Sequence, residues 1–154
     1  MNIMKNIIKT RVKYRSISGI VKRAKYELDA DSINALALLA APYIQHCDYI
    51  SYVPSSRGHT FGLAKAISKL CGVKYIGTLQ KSRQKLSQCD IKSDALRREN
   101  VKGAFVVKKE SVKHIKDKRI IIIDNVIKTG STLNECIKQL KIYCTVKGFA
   151  VTRA

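Results

Sequence analysis

The sequence predicts an α/β domain, a mainly parallel central sheet flanked by helices, with a small basic segment at the N-terminus. Three observations carry that expectation. Short apolar or alternating runs at 49–53, 73–79, 104–107 and 148–152 are separated by stretches whose apolar residues recur at helical spacing. Ile120, Ile121, Ile122 and Ile123 form a continuous run of the kind found in a parallel strand buried on both faces. Turn residues follow two of the strands, Pro54 to Gly58 after the first and Lys128 to Thr132 beyond the isoleucines.

Taken in order, residues 1–28 are basic with mixed period, and 12–23 read either as a hairpin or as a short helix. Asp31 or Ser32 is expected to cap a helix with Ile33, Leu36, Ala37 and Ala40 on one face, ending near Pro42. The strand at 49–53 stops at Pro54. Thr60 is expected to cap a second helix over 61–70, closed by Gly72. Residues 73–79 read as a second strand, and 81–102, rich in Arg, Lys and Gln, have the composition of a mobile loop with room for one helical turn. Strands at 104–107 and 119–123, a helix over 131–143 and a last strand at 148–152 complete the reading. With two prolines, no repeat and no low-complexity linker, residues 1–154 are expected to form a single domain.

Composition narrows the function. A chain of 154 residues with 45% hydrophobic content is long enough to bury about two-thirds of its unfolded surface, which argues against disorder. The longest apolar run, 35–41, is too short to span a bilayer, and 1–13 show no apolar block followed by a cleavage site. A cytoplasmic protein without membrane partners is therefore expected. Cys47, Cys71, Cys89, Cys136 and Cys144 lie far apart, as do His46, His59 and His114, so neither a zinc site nor a disulfide framework is indicated. The outlying number is the charge, +19 from 30 Lys+Arg against 11 Asp+Glu. Such a surface attracts polyphosphates, nucleic acids or acidic partners.

The stretch from Ile120 to Leu140 carries the chemistry. Leu133, Cys136, Ile137 and Leu140 recur at i, i+3, i+4 and i+7, so a helix starting near Ser131 packs one face on the sheet. Its first-turn N–H groups lack helical partners and, with the helix dipole, form an anion site. Gly130 permits close approach or positive φ, and Thr129, Ser131 and Thr132 add hydroxyls. A monophosphate fits there. Asp124, at the end of the isoleucine run, would repel phosphate and is expected to face sugar hydroxyls or magnesium. Phosphate at one end and hydroxyls at the other describe a ribose 5-phosphate.

With the acid, two apolar residues and x-Thr-Gly-x-Thr in that order, the segment resembles the loop of type I phosphoribosyltransferases that binds PRPP (5-phosphoribosyl 1-pyrophosphate). Arg57-Gly58 ahead of Leu63-Ala64-Lys65-Ala66, Arg83 with Leu86-Ser87-Gln88, and Arg97-Arg98 followed by Asn100-Val101 and Gly103-Ala104-Phe105 are similar to the ComF-type, competence-associated family. The Lys25-Tyr26 stretch fits the same pattern, and the resemblance covers roughly residues 20–154. It implies the type I phosphoribosyltransferase fold. It also implies that Asp124 and Asn125 hold the ribose, that Lys128, Thr129, Gly130, Ser131 and Thr132 bind the 5-phosphate, and that Ser55, Ser56, Arg57 and Gly58 receive pyrophosphate. Arg83 and Lys85 would close a mobile loop over the site. Magnesium would come with PRPP, touching Asp124 indirectly, and a homodimer is compatible with the family.

This sequence departs from the family pattern at two motif positions. Asn125 stands where a second acid is usual, and Lys128 where a small hydroxyl residue or an acid is usual. Both changes make the site more positive, which favours phosphate binding over stabilising a cationic transition state. The cysteine-rich zinc segment of many relatives has no counterpart before Cys47. Three readings remain: transfer of a phosphoribosyl group from PRPP to a nitrogen nucleophile, binding of PRPP or a nucleotide without turnover, and a basic nucleic-acid-associated protein of DNA uptake. The acceptor is unspecified by any motif.

Overall fold

The computed structural model describes residues 6–82 and 91–154. Four parallel strands form the central sheet in the order β1 (Ile7–Lys9), β6 (Thr145–Arg153), β5 (Arg119–Ile127), β2 (Tyr49–Tyr52). Helices cover both faces, as the continuous isoleucine run requires. On one face lie α1 (Tyr14–Lys22), α2 (Ala30–Ala40) and α3 (His59–Cys71), whose Val21, Leu36, Leu63 and Ile67 pack against Ile121, Ile123, Phe149 and Val151. On the other, α5 (Lys109–Ile115) and α6 (Ser131–Leu140) bring Ile115, Leu133, Cys136 and Leu140 against Ile120, Ile122 and Ala150. Fully burying each of the Val, Leu, Ile and Phe side chains among these contributes roughly 1.5–3 kcal/mol.

The largest departure from expectation concerns β5. It continues past Ile123 to Ile127, because backbone pairing with β6 runs on through Asp124↔Ala150, Val126↔Thr152 and Ile127↔Arg153. Asp124 and Asn125 are therefore sheet residues and not the start of a loop. Parallel pairing on β6 outweighs the low strand propensity of two polar side chains.

Residues near the N-terminus also join the sheet, in a pairing that mixed periodicity conceals. Gly148 makes this possible, since a Cβ there would come within 3.1 Å of both Ile7 and Ile137. The region 12–23 forms helix α1, which runs on through a π-type turn, Arg23–Glu27, to Leu28 in the left-handed conformation. Asp29, not Asp31 or Ser32, caps α2, its carboxylate accepting the Ser32 N–H at 2.9 Å.

The expected strand at 73–79 divides in two. Tyr75 makes one parallel bridge to Ile50 at the sheet edge, while β3 (Leu79–Lys81) pairs antiparallel with β4 (Phe105–Val107) in a separate two-stranded sheet. The expected loop over 81–102 contains a helix, α4 (Asp94–Val101), capped by Ser93, with Arg97 and Val101 buried at i, i+4 spacing. Its polar composition hid a one-sided contact on α6. Arg83 and Lys85 lie outside the described residues.

Candidate functional site

Two strand–loop–helix units, β2–α3 and β5–α6, meet at the carboxyl edge of the sheet, where ligands bind in open parallel sheets. Each loop ends in a glycine held left-handed, Gly58 at φ 73° and Gly130 at φ 79°. Each glycine carbonyl accepts the N–H four residues on, from Gly62 at 3.0 Å and from Asn134 at 2.9 Å, which starts the helix. Between the two units opens a cleft of about 660 Å³.

Thr129, Gly130, Ser131 and Thr132 line one end of the cleft, at the N-terminus of α6. The Thr129 and Ser131 hydroxyls lie 2.7 Å apart, and the Ser131 N–H donates to Thr129 Oγ1 at 3.3 Å. The first turn of α6 carries no acid. Donors, dipole and hydroxyls thus converge on one part of the cleft, with Lys128 also lining it. Asn134 Nδ2 donates to the Gly130 carbonyl at 2.8 Å and steadies the turn.

Asp124 also lines the cleft, its Oδ1 accepting the Asn125 N–H at 2.8 Å. Among the described lining residues it is the sole acid, against Lys22, Lys25, Lys81, Arg97 and Lys128. Asn125 is 2% exposed, and neither its side-chain oxygen nor its nitrogen has a hydrogen-bond partner. A buried amide left so costs on the order of 1–3 kcal/mol unless a water or a ligand satisfies it.

Ser55 and Ser56 line the opposite wall. Arg57 lies beside it, exposed, with its guanidinium 5.3 Å from the ring centre of Tyr26, itself a lining residue. Gly58 serves the backbone turn that begins α3. Thr60, expected as a helix cap, instead donates to the Val53 carbonyl at 2.6 Å and to Ser55 Oγ at 3.1 Å, tying the loop to the strand it leaves.

Several cleft residues were not legible as such. His59 follows the left-handed glycine and is 9% exposed, with Nδ1 buried and unpartnered. Burial, and then the nearby charges of Lys25, Arg57 and Lys81, push its pKa from 6.5 down to about 4, so the ring is neutral at pH 7. Arg97 is 4% exposed, 3.2 Å from Asp94, and reaches the cleft from α4. The Arg97-Arg98 motif and the i, i+4 spacing of Arg97 from Val101 were the available signals. Tyr14, Lys22, Lys25 and Tyr26 reach the cleft from α1 and the turn that follows.

No group of three or more His, Cys, Asp or Glu side chains able to hold a metal occurs among the described residues. One carboxylate among five cations suits magnesium only as the counter-ion of a bound polyphosphate.

No family model matches the sequence. Thirty residues, 20% of the chain, are 63% identical to part of the transcriptional regulator GfcR of Methanocaldococcus jannaschii, spanning 14% of that protein. Among solved structures, an allosteric regulatory enzyme of purine biosynthesis superposes with TM-score 0.55 at 22% identity, over 83% of this chain and 30% of that one. Glutamine phosphoribosylpyrophosphate amidotransferase from B. subtilis, complexed with ADP and GMP, gives 0.56 at 20% identity, over 84% of this chain and 30% of that one. Adenine phosphoribosyltransferase from Thermoanaerobacter pseudethanolicus gives 0.56 at 16% identity, over 83% of each chain.

The fold is that of the type I phosphoribosyltransferases. This chain spans under a third of the first two enzymes and most of the third. In the phosphoribosyltransferase fold seen here, the cradle and Asp124 stand on one unit and Ser55-Ser56 on the other. Among the described residues no helix is long and apolar enough to cross a membrane.

Proposed function

We propose that the chain binds PRPP in this cleft and transfers its phosphoribosyl group to a nitrogen nucleophile, as a ComF-type phosphoribosyltransferase. The observation that carries the reading is the union, in one cleft, of an acid-free helix N-terminus ringed by hydroxyls with a carboxylate on the adjoining strand. Thr129, Gly130, Ser131 and Thr132 take the 5-phosphate, Lys128 adds charge, and Asp124 orients the ribose hydroxyls. Ser55, Ser56 and Arg57 meet the pyrophosphate as its negative charge grows.

In the transfer, the C1–O bond breaks and pyrophosphate leaves with the electron pair. The nitrogen lone pair closes on C1, and the nitrogen proton passes to water. Magnesium bound to PRPP would neutralise charge on the leaving pyrophosphate, with Asp124 near enough to the ribose to assist its placement. Arg97 and Lys81 add positive potential along the walls.

A second reading, binding without turnover, is favoured by one observation. Asn125 supplies no charge where a developing oxocarbenium ion would need one, and its amide is sealed from solvent.

Calorimetric titration with PRPP and magnesium, on the native chain and on Asp124→Ala, tests the site, and pyrophosphate release from the same samples tests the reaction. The expected result is binding that drops at least roughly tenfold in the variant, as removal of a charged hydrogen-bonding group implies. Release of pyrophosphate supports transfer. Binding without release leaves the second reading, and no binding by the native chain removes both.

A further inference from the structure

Beside the cleft lies a second groove of about 660 Å³, walled by residues 9–15 and the end of β6. Lys9, Arg11, Lys13, Arg15 and Arg153 line it, and no acidic side chain does. Along the chain the cations are exposed, while Thr10 is buried and Val12 and Tyr14 are half-buried, so alternation turns every second residue outward. The wall is fixed to β6. Thr10 Oγ1 donates to the Val151 carbonyl at 2.5 Å, Thr152 Oγ1 donates to the Val12 carbonyl at 2.9 Å, and Lys13 bridges Arg153 in parallel. None of the five cations is ion-paired to a described carboxylate.

Five cations carried on a backbone fixed to β6 raise the positive potential of the groove and favour an anion in it. We infer that this groove is a second phosphate-binding site, which holds the phosphate of a small second ligand alongside the cleft. The size suits a nucleotide-sized molecule. Tyr14 lines both groove and cleft, so the two occupants would meet across its ring. If the cleft holds PRPP, that second ligand is a phosphorylated acceptor. Its role as acceptor rests on the reading of the cleft, whereas the phosphate site itself does not.

The test uses AMP as the probe and three chains: native, Arg11→Gln/Lys13→Gln, and a charge-matched control, Lys109→Gln/Lys113→Gln, altered at two exposed positions of α5. PRPP with magnesium is titrated first, and AMP is then titrated into the saturated chain. AMP is expected to bind one-to-one beside PRPP. The groove pair should weaken it at least about tenfold, as removal of two charge-assisted hydrogen bonds implies, and the control pair less than about twofold. PRPP affinity should stay within about twofold in all three chains, since neither pair lines the cleft. Exclusion of AMP by PRPP, equal weakening by both pairs, or no effect of the groove pair overturns the inference. Should PRPP itself fail to bind, both readings of the cleft fall and the groove remains to be tested. AMP titrated into the unsaturated chains then decides the groove by the same comparison of pairs.

Discussion

The β2–α3 and β5–α6 units use one backbone device for two purposes. Each is a parallel strand, a short loop, a left-handed glycine and a helix whose first backbone hydrogen bond, from its fourth N–H, closes on that glycine's carbonyl. At α6 the residues around the first turn are Thr129, Ser131 and Thr132, which line the cleft, the first two with their hydroxyls bonded to one another. At α3 the first turn is His59 and Thr60, both buried, and the threonine hydroxyl is spent on Val53 and Ser55. One unit presents its hydroxyls to the cleft. The other uses them to hold its own loop. An exposed helix N-terminus therefore acts as an anion site only where the side chains of its first turn leave it open.

Substituting each glycine is the strongest way to break this comparison. Gly130→Ala and Gly58→Ala both place a Cβ at positive φ and should each cost about 1–2 kcal/mol in denaturant unfolding. Their effects on PRPP should part sharply. Gly130→Ala is expected to lower affinity roughly 100-fold, the equivalent of two charge-assisted hydrogen bonds, and Gly58→Ala only a few-fold. Equal losses would show the two turns to be equivalent ligand sites.

Deleting one hydroxyl from each unit sharpens the contrast. Thr129→Val should weaken PRPP roughly tenfold and cost about 0.5–1 kcal/mol of stability, because it also removes the acceptor of the Ser131 N–H. Thr60→Val should do the reverse, costing about 1–2 kcal/mol because it removes the hydroxyl partner of the Val53 carbonyl, with affinity nearly unchanged.

The smallest effect is a slope. His59 titrates near 6.5 when unfolded and about 4 when folded, so below pH 6.5 the unfolded chain takes up the proton first. Its contribution to stability is complete above 6.5 and is lost as pH falls toward 4, by at most about 1.4 kcal/mol per pH unit. Subtracting the stability profile of His59→Gln from that of the native chain isolates this slope. A flat difference over that window would show that the ring is protonated, or solvated, in the folded state.

Much of the local geometry of the candidate site was legible because it is short-range. Gly130 with its neighbouring hydroxyls can be read from a few consecutive residues, since a left-handed turn into a helix is a short-range device. The isoleucine run declared a doubly buried strand for the same reason. Less was legible where neighbours in space decide. Residues 7–9 became a strand only because Gly148 lets them approach β6, and 94–101 became a helix because Arg97 and Val101 found a buried side.

The sequence by itself determined the parallel α/β class, the glycine turn that opens α6 and the carboxylate ahead of it, because strand period, helix period and turn chemistry are each set within a few bonds. Tertiary structure alone decided that β5 carries Asp124 and Asn125 inside the sheet, that His59 and Arg97 border the cleft, and that cations from 9–15 and Arg153 share one groove. Those placements depend on which strands pair and which faces are covered, a matter of long-range packing that short-range pattern does not encode.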